Sequence, residues 1–300
     1  MRVARAFTVD DTALVSSNVA ETETAWTAGS YSIGDIRRRT VDGVHRRFKS
    51  LVNTNTADPA DGDATKWEDE GPTNRWAMFD QRLQAQTSNA DSIDVQLQIV
   101  GRIDCVYVGN VSGQTLRIKA TDASEGVVYD QTYSLVSASG ITDWWTWFME
   151  PIVGLRDLGR MDLPAGYSDL LLQVTISAPG ATALCGELVT GLTRDLGGTR
   201  WGGGLGNKSY STIGEDTFGD DFLIKRGKKR TGDFDVIVDT RHLDEVTTLL
   251  DDLDATAVLF VAHEDYAAMF IFGVLLSWKE VVSFKNQTAL NVSLQSFTRT

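Results

Sequence analysis

Histidine and cysteine are nearly missing from this 300-residue chain, with three and two copies, and proline occurs only five times. Two cysteines are too few for a disulfide scaffold or a four-ligand zinc site. Cys105 and Cys185 read as two small buried apolar residues, with one disulfide between them left open. His45, His242 and His263 stand far apart, and none falls in an HExxH motif or beside a nucleophile signature. Ser209, Ser211 and Ser283 lack a GxSxG elbow. No catalytic residues, no metal site and no cofactor are therefore predicted, and the chain reads as a non-enzyme. Basic residues are also in deficit, 28 against 41 acidic, for a net charge of −13. That balance argues against a phosphate-backbone binder, which needs a basic surface, so no nucleic-acid partner is expected. Long apolar runs are absent too. The longest, Tyr266 to Trp278, falls short of a membrane span, and the opening MRVARAFTVDDTALV lacks the apolar core of a secretory signal. The chain reads as soluble and unprocessed, without membrane insertion.

What is present is ordinary globular composition, 42% hydrophobic and 23% charged, over a length that suits two or three domains. Residues 1–50 carry a net charge of +2 while the rest is acidic. Two basic clusters stand out: Arg37, Arg38 and Arg39 with Arg46, Arg47 and Lys49, and Lys225, Arg226, Lys228, Lys229 and Arg230. On an acidic protein each suits an acidic neighbour, such as another copy of the chain, or else a solvated loop.

Strand periodicity dominates. In IDVQLQI, Ile93, Val95, Leu97 and Ile99 alternate with Asp94, Gln96 and Gln98, the period-2 pattern of a half-buried strand. Further strands are predicted around 103–108, 116–120, 127–133, 146–149, 170–176 and 183–190. Gly109, Gly113, Gly126, Gly140 and Pro179-Gly180 supply turns between them. Short strands at this spacing predict a jelly-roll-like β-sandwich. Six glycines in GGTRWGGGLGN mark a boundary near Gly197 and a flexible turn. The Walker A pattern fails there because Asn207 separates the last glycine from Lys208. Beyond it, DFDVIVDT is a strand, and Arg241–Leu253 spaces Leu243, Val246, Leu249, Leu250 and Leu253 on one helix face, with Asp239 or Thr240 as cap. Strands at 258–262, 269–278 and 289–297 follow. The fold class is thus mainly β: a small N-terminal β-module within 1–70, a central jelly-roll-like sandwich in 71–196 and a C-terminal β-rich domain with one helix in 197–300.

Aromatic residues gather in two groups, Trp67, Trp76 and Phe79, and Trp144, Trp145, Trp147 and Phe148. Tryptophan faces can stack on sugar rings. As a strand, WWTWF would instead send at least one set of rings into the sandwich core, and both readings stand. DPADGD (58–63) matches a calcium loop only loosely.

Two resemblances follow. WTAGSYSIGDI, HRRFKSL and PADGDATKWED resemble the small type 5/12 carbohydrate-binding modules, through Trp26, Gly29, Tyr31, Gly34, Asp35, Phe48 and Trp67. That resemblance implies glycan stacking on Trp26, Tyr31 and Trp67. Phe48 stands where a tyrosine is usual, and the Arg37–Arg39 run is atypical of a neutral-sugar surface. GPTNRWAMFD (71–80), VVYDQTYSL (127–135), WWTWFMEPI (144–152) and ALCGELVTG (183–191) resemble tail proteins of long-tailed bacteriophages. This implies a virion structural protein of the tail tip or baseplate, made in the bacterial cytoplasm and assembled with copies of itself and other phage tail proteins. Contact with a host-surface polysaccharide is the further partner it suggests. In such an assembly Lys225, Arg226, Lys228, Lys229 and Arg230 are the expected subunit contacts. The alternative is a free carbohydrate-binding protein or glycan-degrading enzyme.

Overall fold

Strand Cys105–Gly109 is buried along its whole length. Its alternating side chains pack in opposite directions: Val106 and Val108 into one core, Cys105 and Tyr107 into another. A strand covered on both faces must lie in a middle layer, and a run with no charge is what such a position requires. The computed structural model describes residues 1–137, 143–149, 153–215, 217–282 and 285–299. The chain is mainly β. The middle layer is a three-stranded antiparallel sheet ordered Asp157–Arg160, Cys105–Gly109, Glu187–Gly191.

One face of that layer meets a five-stranded sheet ordered Leu14–Ser17, Thr87–Val100, Asp169–Cys185, Thr115–Asp122, Gly126–Ser134. Ile93, Val95, Leu97 and Ile99 all point into the shared core, as their alternation predicts. They join Leu170, Leu172, Val174 and Ile176 from the neighbouring strand. Pro179-Gly180 does not separate two strands. The strand runs on to Cys185, and the pair sits at a bulge where the register shifts between Ser177 and Thr182. Gly180 takes φ of 73°, and proline is tolerated at such an irregularity because no ladder bond is asked of it.

The other face of the middle layer meets an eight-stranded sheet. Leu259, Val261, Phe270 and Phe272 face the middle layer, while Val258, Phe260 and Ile271 face away. The close approach of the two layers depends on Gly159, where a Cβ would lie 2.2 Å from the Phe270 ring. On the far face, helix Leu243–Asp251 buries Val246 and Leu250 against Phe234, Val236 and Val238. Asp239, expected with Thr240 as the helix cap, instead caps the short turn Thr240–His242 that leads into the helix, its carboxylate accepting from the Arg241 amide at 3.0 Å, and the helix itself starts after His242 without a side-chain cap.

The expected units 1–70, 71–196 and 197–300 exchange strands. Arg2–Arg5 pairs on one side with Thr193–Asp195 and on the other with Val258–Val261, inside the eight-stranded sheet. Leu14–Ser17 joins the central sandwich. Only Ile36–Val41, Val44–Ser50 and Trp67–Pro72 form a separate three-stranded meander. The glycine-rich run is not a free turn either: Gly198–Thr199 and Gly204–Ser209 both pair with Lys228–Asp239.

The strand expected over 146–149 is a short helix, Trp144–Met149. Asp143 and Thr146 explain the change. The Asp143 carboxylate accepts from the Thr146 amide at 2.8 Å while the Thr146 hydroxyl accepts from the Asp143 amide at 3.2 Å, a reciprocal cap that favours helical backbone. Gly140, Ser283 and the end of the WWTWFMEPI segment lie outside the described residues.

Candidate functional site

The three proposed sugar-stacking residues come together, but as the core of the meander. Tyr31, Phe48 and Trp67 are buried, with Trp26 packed against them. The Tyr31 and Trp67 rings meet edge to face at 5.5 Å. Tyr31 donates its hydroxyl to the Thr27 carbonyl at 2.6 Å, and Trp67 donates its indole N–H to the Ala57 carbonyl at 2.9 Å. The Arg37 guanidinium lies 4.8 Å from the Tyr31 ring centroid, and that of Arg39 lies 5.1 Å from the Trp26 ring. The ring faces a sugar would use are therefore occupied by cations and by one another.

Five of the six cations of the first basic cluster find carboxylates within the chain, Arg38 reaching Glu21 at 4.0 Å. Arg39 makes a two-pronged pair with Asp58, at 3.0 and 2.7 Å. Arg46 pairs with Asp69 at 2.6 Å, Arg47 with Glu70 at 3.1 Å and Glu23 at 3.4 Å, and Lys49 reaches Glu68 at 4.0 Å. Asp58, singled out in the calcium-like loop, is consumed by Arg39. Among the described residues no trio of histidine, cysteine, aspartate and glutamate gathers as metal ligands.

The second cluster differs. Lys225, Arg226, Lys228 and Lys229 have no ion pair among the described residues, whereas Arg230 turns inward to Asp157 at 3.5 Å. These residues lie on a two-stranded arm. Gly204–Ser209 pairs with 228–233, and the pairing resumes farther out between Thr212–Glu215 and Asp221–Ile224. The arm has no core of its own: Ile213, Phe222, Leu223 and Ile224 are exposed, and Phe218 at its turn is 90% exposed. Tyr210 sits on the stem with the ammonium groups of Lys208 and Lys229 at 5.5 and 5.8 Å from its ring.

A second apolar projection is the helix Trp144–Met149. Trp144, Trp145, Trp147, Phe148 and Met149 are all exposed, Trp145 by 70%. The core role that a strand would have given some of these rings is not taken. Trp144 and Phe148, one helical turn apart, stack with centroids 6.4 Å apart. By contrast Trp76, from the other aromatic group, is fully buried beside His45 and Phe79.

No family model, curated protein or solved structure matches this chain. The sequence pattern could place the basic residues 225–230 but not the arm, because a hairpin without a core has no buried face to set a hydrophobic period.

Proposed function

We propose that this chain is a virion structural protein of a bacteriophage tail, at the tip or baseplate, acting by assembly with copies of itself and with neighbouring tail proteins. The observation that carries the assembly reading is the arm 204–233. An isolated two-stranded ribbon is marginal in water, and one with this much exposed apolar side chain gains stability when another surface covers it. On docking, Ile213, Phe218, Leu223 and Ile224 leave water, while Lys225, Arg226, Lys228 and Lys229 meet the acidic surface that a net charge of −13 provides on a second copy. The location in a phage tail rests on the resemblance of residues 71–80, 127–135, 144–152 and 183–191.

Light scattering on the purified protein tests assembly. The wild type should form oligomers that Ile213→Asp with Leu223→Asp dissociates while the far-ultraviolet circular dichroism stays that of the folded chain. A monomer at all concentrations would remove the reading. Immunogold labelling of phage particles tests location: label at the tail tip supports it, and unlabelled particles with an accessible epitope discard it.

The exposed ridge Trp144, Trp147 and Phe148 favours a second reading, a carbohydrate-binding surface away from the meander. Loss of polysaccharide binding in Trp147→Ala, with oligomer mass unchanged, would support that one.

A further inference from the structure

Helix Leu243–Asp251 buries Val246 and Leu250 and leaves its other side to water. That outer side and the strands beside it line an open groove of about 640 Å³. The apolar part of the groove comes from Leu192, Leu249 and Leu253. Its charged part sets Asp244, Glu245 and Asp252 against Arg5 and Arg194. Arg5 is already engaged, 3.7 Å from the Asp252 carboxylate and donating to the Asp252 carbonyl at 2.8 Å. Glu245 lies 3.6 Å from His242. Asp244 is exposed, as are Asp251 and Asp254 farther along, and none of the three has an ion pair among the described residues. Against these carboxylates Arg194 is the one cation of the groove left without an ion pair among the described residues.

The arm 204–233 carries the matching surface. Its outer part exposes Ile213, Leu223 and Ile224, and Lys225, Arg226 and Lys228 stand exposed directly after them. Within one copy the two surfaces are held apart by strand Lys228–Asp239. The arm leaves from the Lys228 end, and the chain turns toward the helix from the Asp239 end. Twelve residues at about 3.3 Å each set those ends roughly 36 Å apart. The helix packs back over Phe234, Val236 and Val238, whereas the pairing of Thr212–Glu215 with Asp221–Ile224 lies beyond Lys228. The arm thus extends away from the groove of its own chain.

We propose that the arm of one copy docks into this groove on a second copy, an inference that rests on the assembly reading above and names the surface the arm meets. Apolar side chains of the outer arm cover Leu192 and Leu249, while Lys225, Arg226 and Lys228 meet Asp244, Glu245 and Asp251. The two halves of the groove select such an occupant together. An uncharged apolar segment would cover the leucines but strip water from the carboxylates without replacing it, and a hydrophilic cation would leave the leucines wet. Arm and groove are different surfaces, so the contact is heterologous. Each copy uses its arm on one neighbour and its groove on another, and association continues until the copies close a ring or run on as a filament.

Charge reversal in the full chain tests the pairing, with sedimentation equilibrium as the readout and far-ultraviolet circular dichroism as the check on folding. Lys225→Glu with Arg226→Glu and Lys228→Glu reverses the arm, and Asp244→Lys with Glu245→Lys reverses the groove. Each variant alone should associate about tenfold or more weakly than the wild type. An equimolar mixture of the two sets opposite charges against each other at every contact and should recover wild-type association, as should one chain carrying all five substitutions. Thr248→Trp, at an exposed position in the groove, should weaken association to a similar extent by filling it, and decides the matter where the groove reversal does not fold. A mixture that stays dissociated, or wild-type association in the groove variants, would overturn the proposal. The assembly reading survives that result if Ile213→Asp with Leu223→Asp still dissociates the oligomer, whereas a wild type that is monomeric throughout removes both.

Discussion

Arg299 forms a buried ion pair with Asp157, tying the eight-stranded sheet to the middle layer across a separation of 142 positions. Asp157 also accepts the Tyr107 hydroxyl at 2.9 Å and the Asn110 amide at 3.3 Å, and Arg230 stands 3.5 Å away. A buried carboxylate with this many donors is a fastening point between layers that otherwise meet through apolar side chains.

Removing one partner leaves the other charge buried. Arg299→Ala should therefore lower the unfolding free energy by about 3–5 kcal/mol. Arg299→Met with Asp157→Leu, which removes both charges, should cost far less. Urea titration of both variants checks the difference, and equal losses would show that the pair is not the fastening element.

Asp80 sets a pH dependence of defined sign. Raised by burial, its carboxyl holds a proton to about 6 in the folded protein and releases it near 3.8 when unfolded. Between these values the unfolded state binds fewer protons, so this group makes stability fall as the pH rises, and the fall is complete above about 6. Asp80→Asn should remove that fall. Melting temperature followed against pH in both proteins gives the answer as a difference, in which carboxylates remote from Asp80 cancel.

The meander makes a contrasting prediction to the one its resemblance implies. Because Tyr31 and Trp67 are core, Tyr31→Ala should cost about 3–5 kcal/mol rather than leave folding intact. Tyr31→Phe, losing the bond to the Thr27 carbonyl and the one accepted from the Thr27 amide, should cost about 2 kcal/mol. Limited proteolysis within residues 26–72 reports whether the meander opens.

Both thiols are free and buried, and burial pushes Cys105 up to about 12 and Cys185 higher still. Neither should react with Ellman's reagent in the native protein, and both should react in denaturant. Native reactivity at either would mean that its layer opens readily.

These outcomes separate what the sequence could tell from what it could not. Ile93 to Ile99, Phe234 to Val238 and the helix face at Val246 and Leu250 follow from periodicity, because each buries one face against one core. The middle layer was harder: Cys105–Gly109 is legible as a strand, yet nothing in it says that two different sheets cover it. The aromatic signature at Trp26, Tyr31 and Trp67 identified a real cluster and mistook its direction, since core and sugar-binding surfaces draw on the same residues. No spacing or motif separates Asp80 and the buried Glu187 from the rest of the 41 acids. The one clue to Glu187 is that it interrupts an apolar run, CGELVTG. Trp144–Met149 departs from the expected strand because the cap formed by Asp143 and Thr146 outweighs the strand preference of its aromatics.

The place of Arg2–Arg5 between Thr193–Asp195 and Val258–Val261 bears on how the protein is made. A ribosome delivers Arg2–Arg5 some 250 residues before Val258–Val261, so this segment must wait for its inner partner while the central sandwich emerges. Closure of the eight-stranded sheet is then a late, long-range event with a large loop to close, slow relative to the local hairpins. A nascent chain stalled before Val258 would hold a completed sandwich and an unsealed sheet edge open to foreign strands.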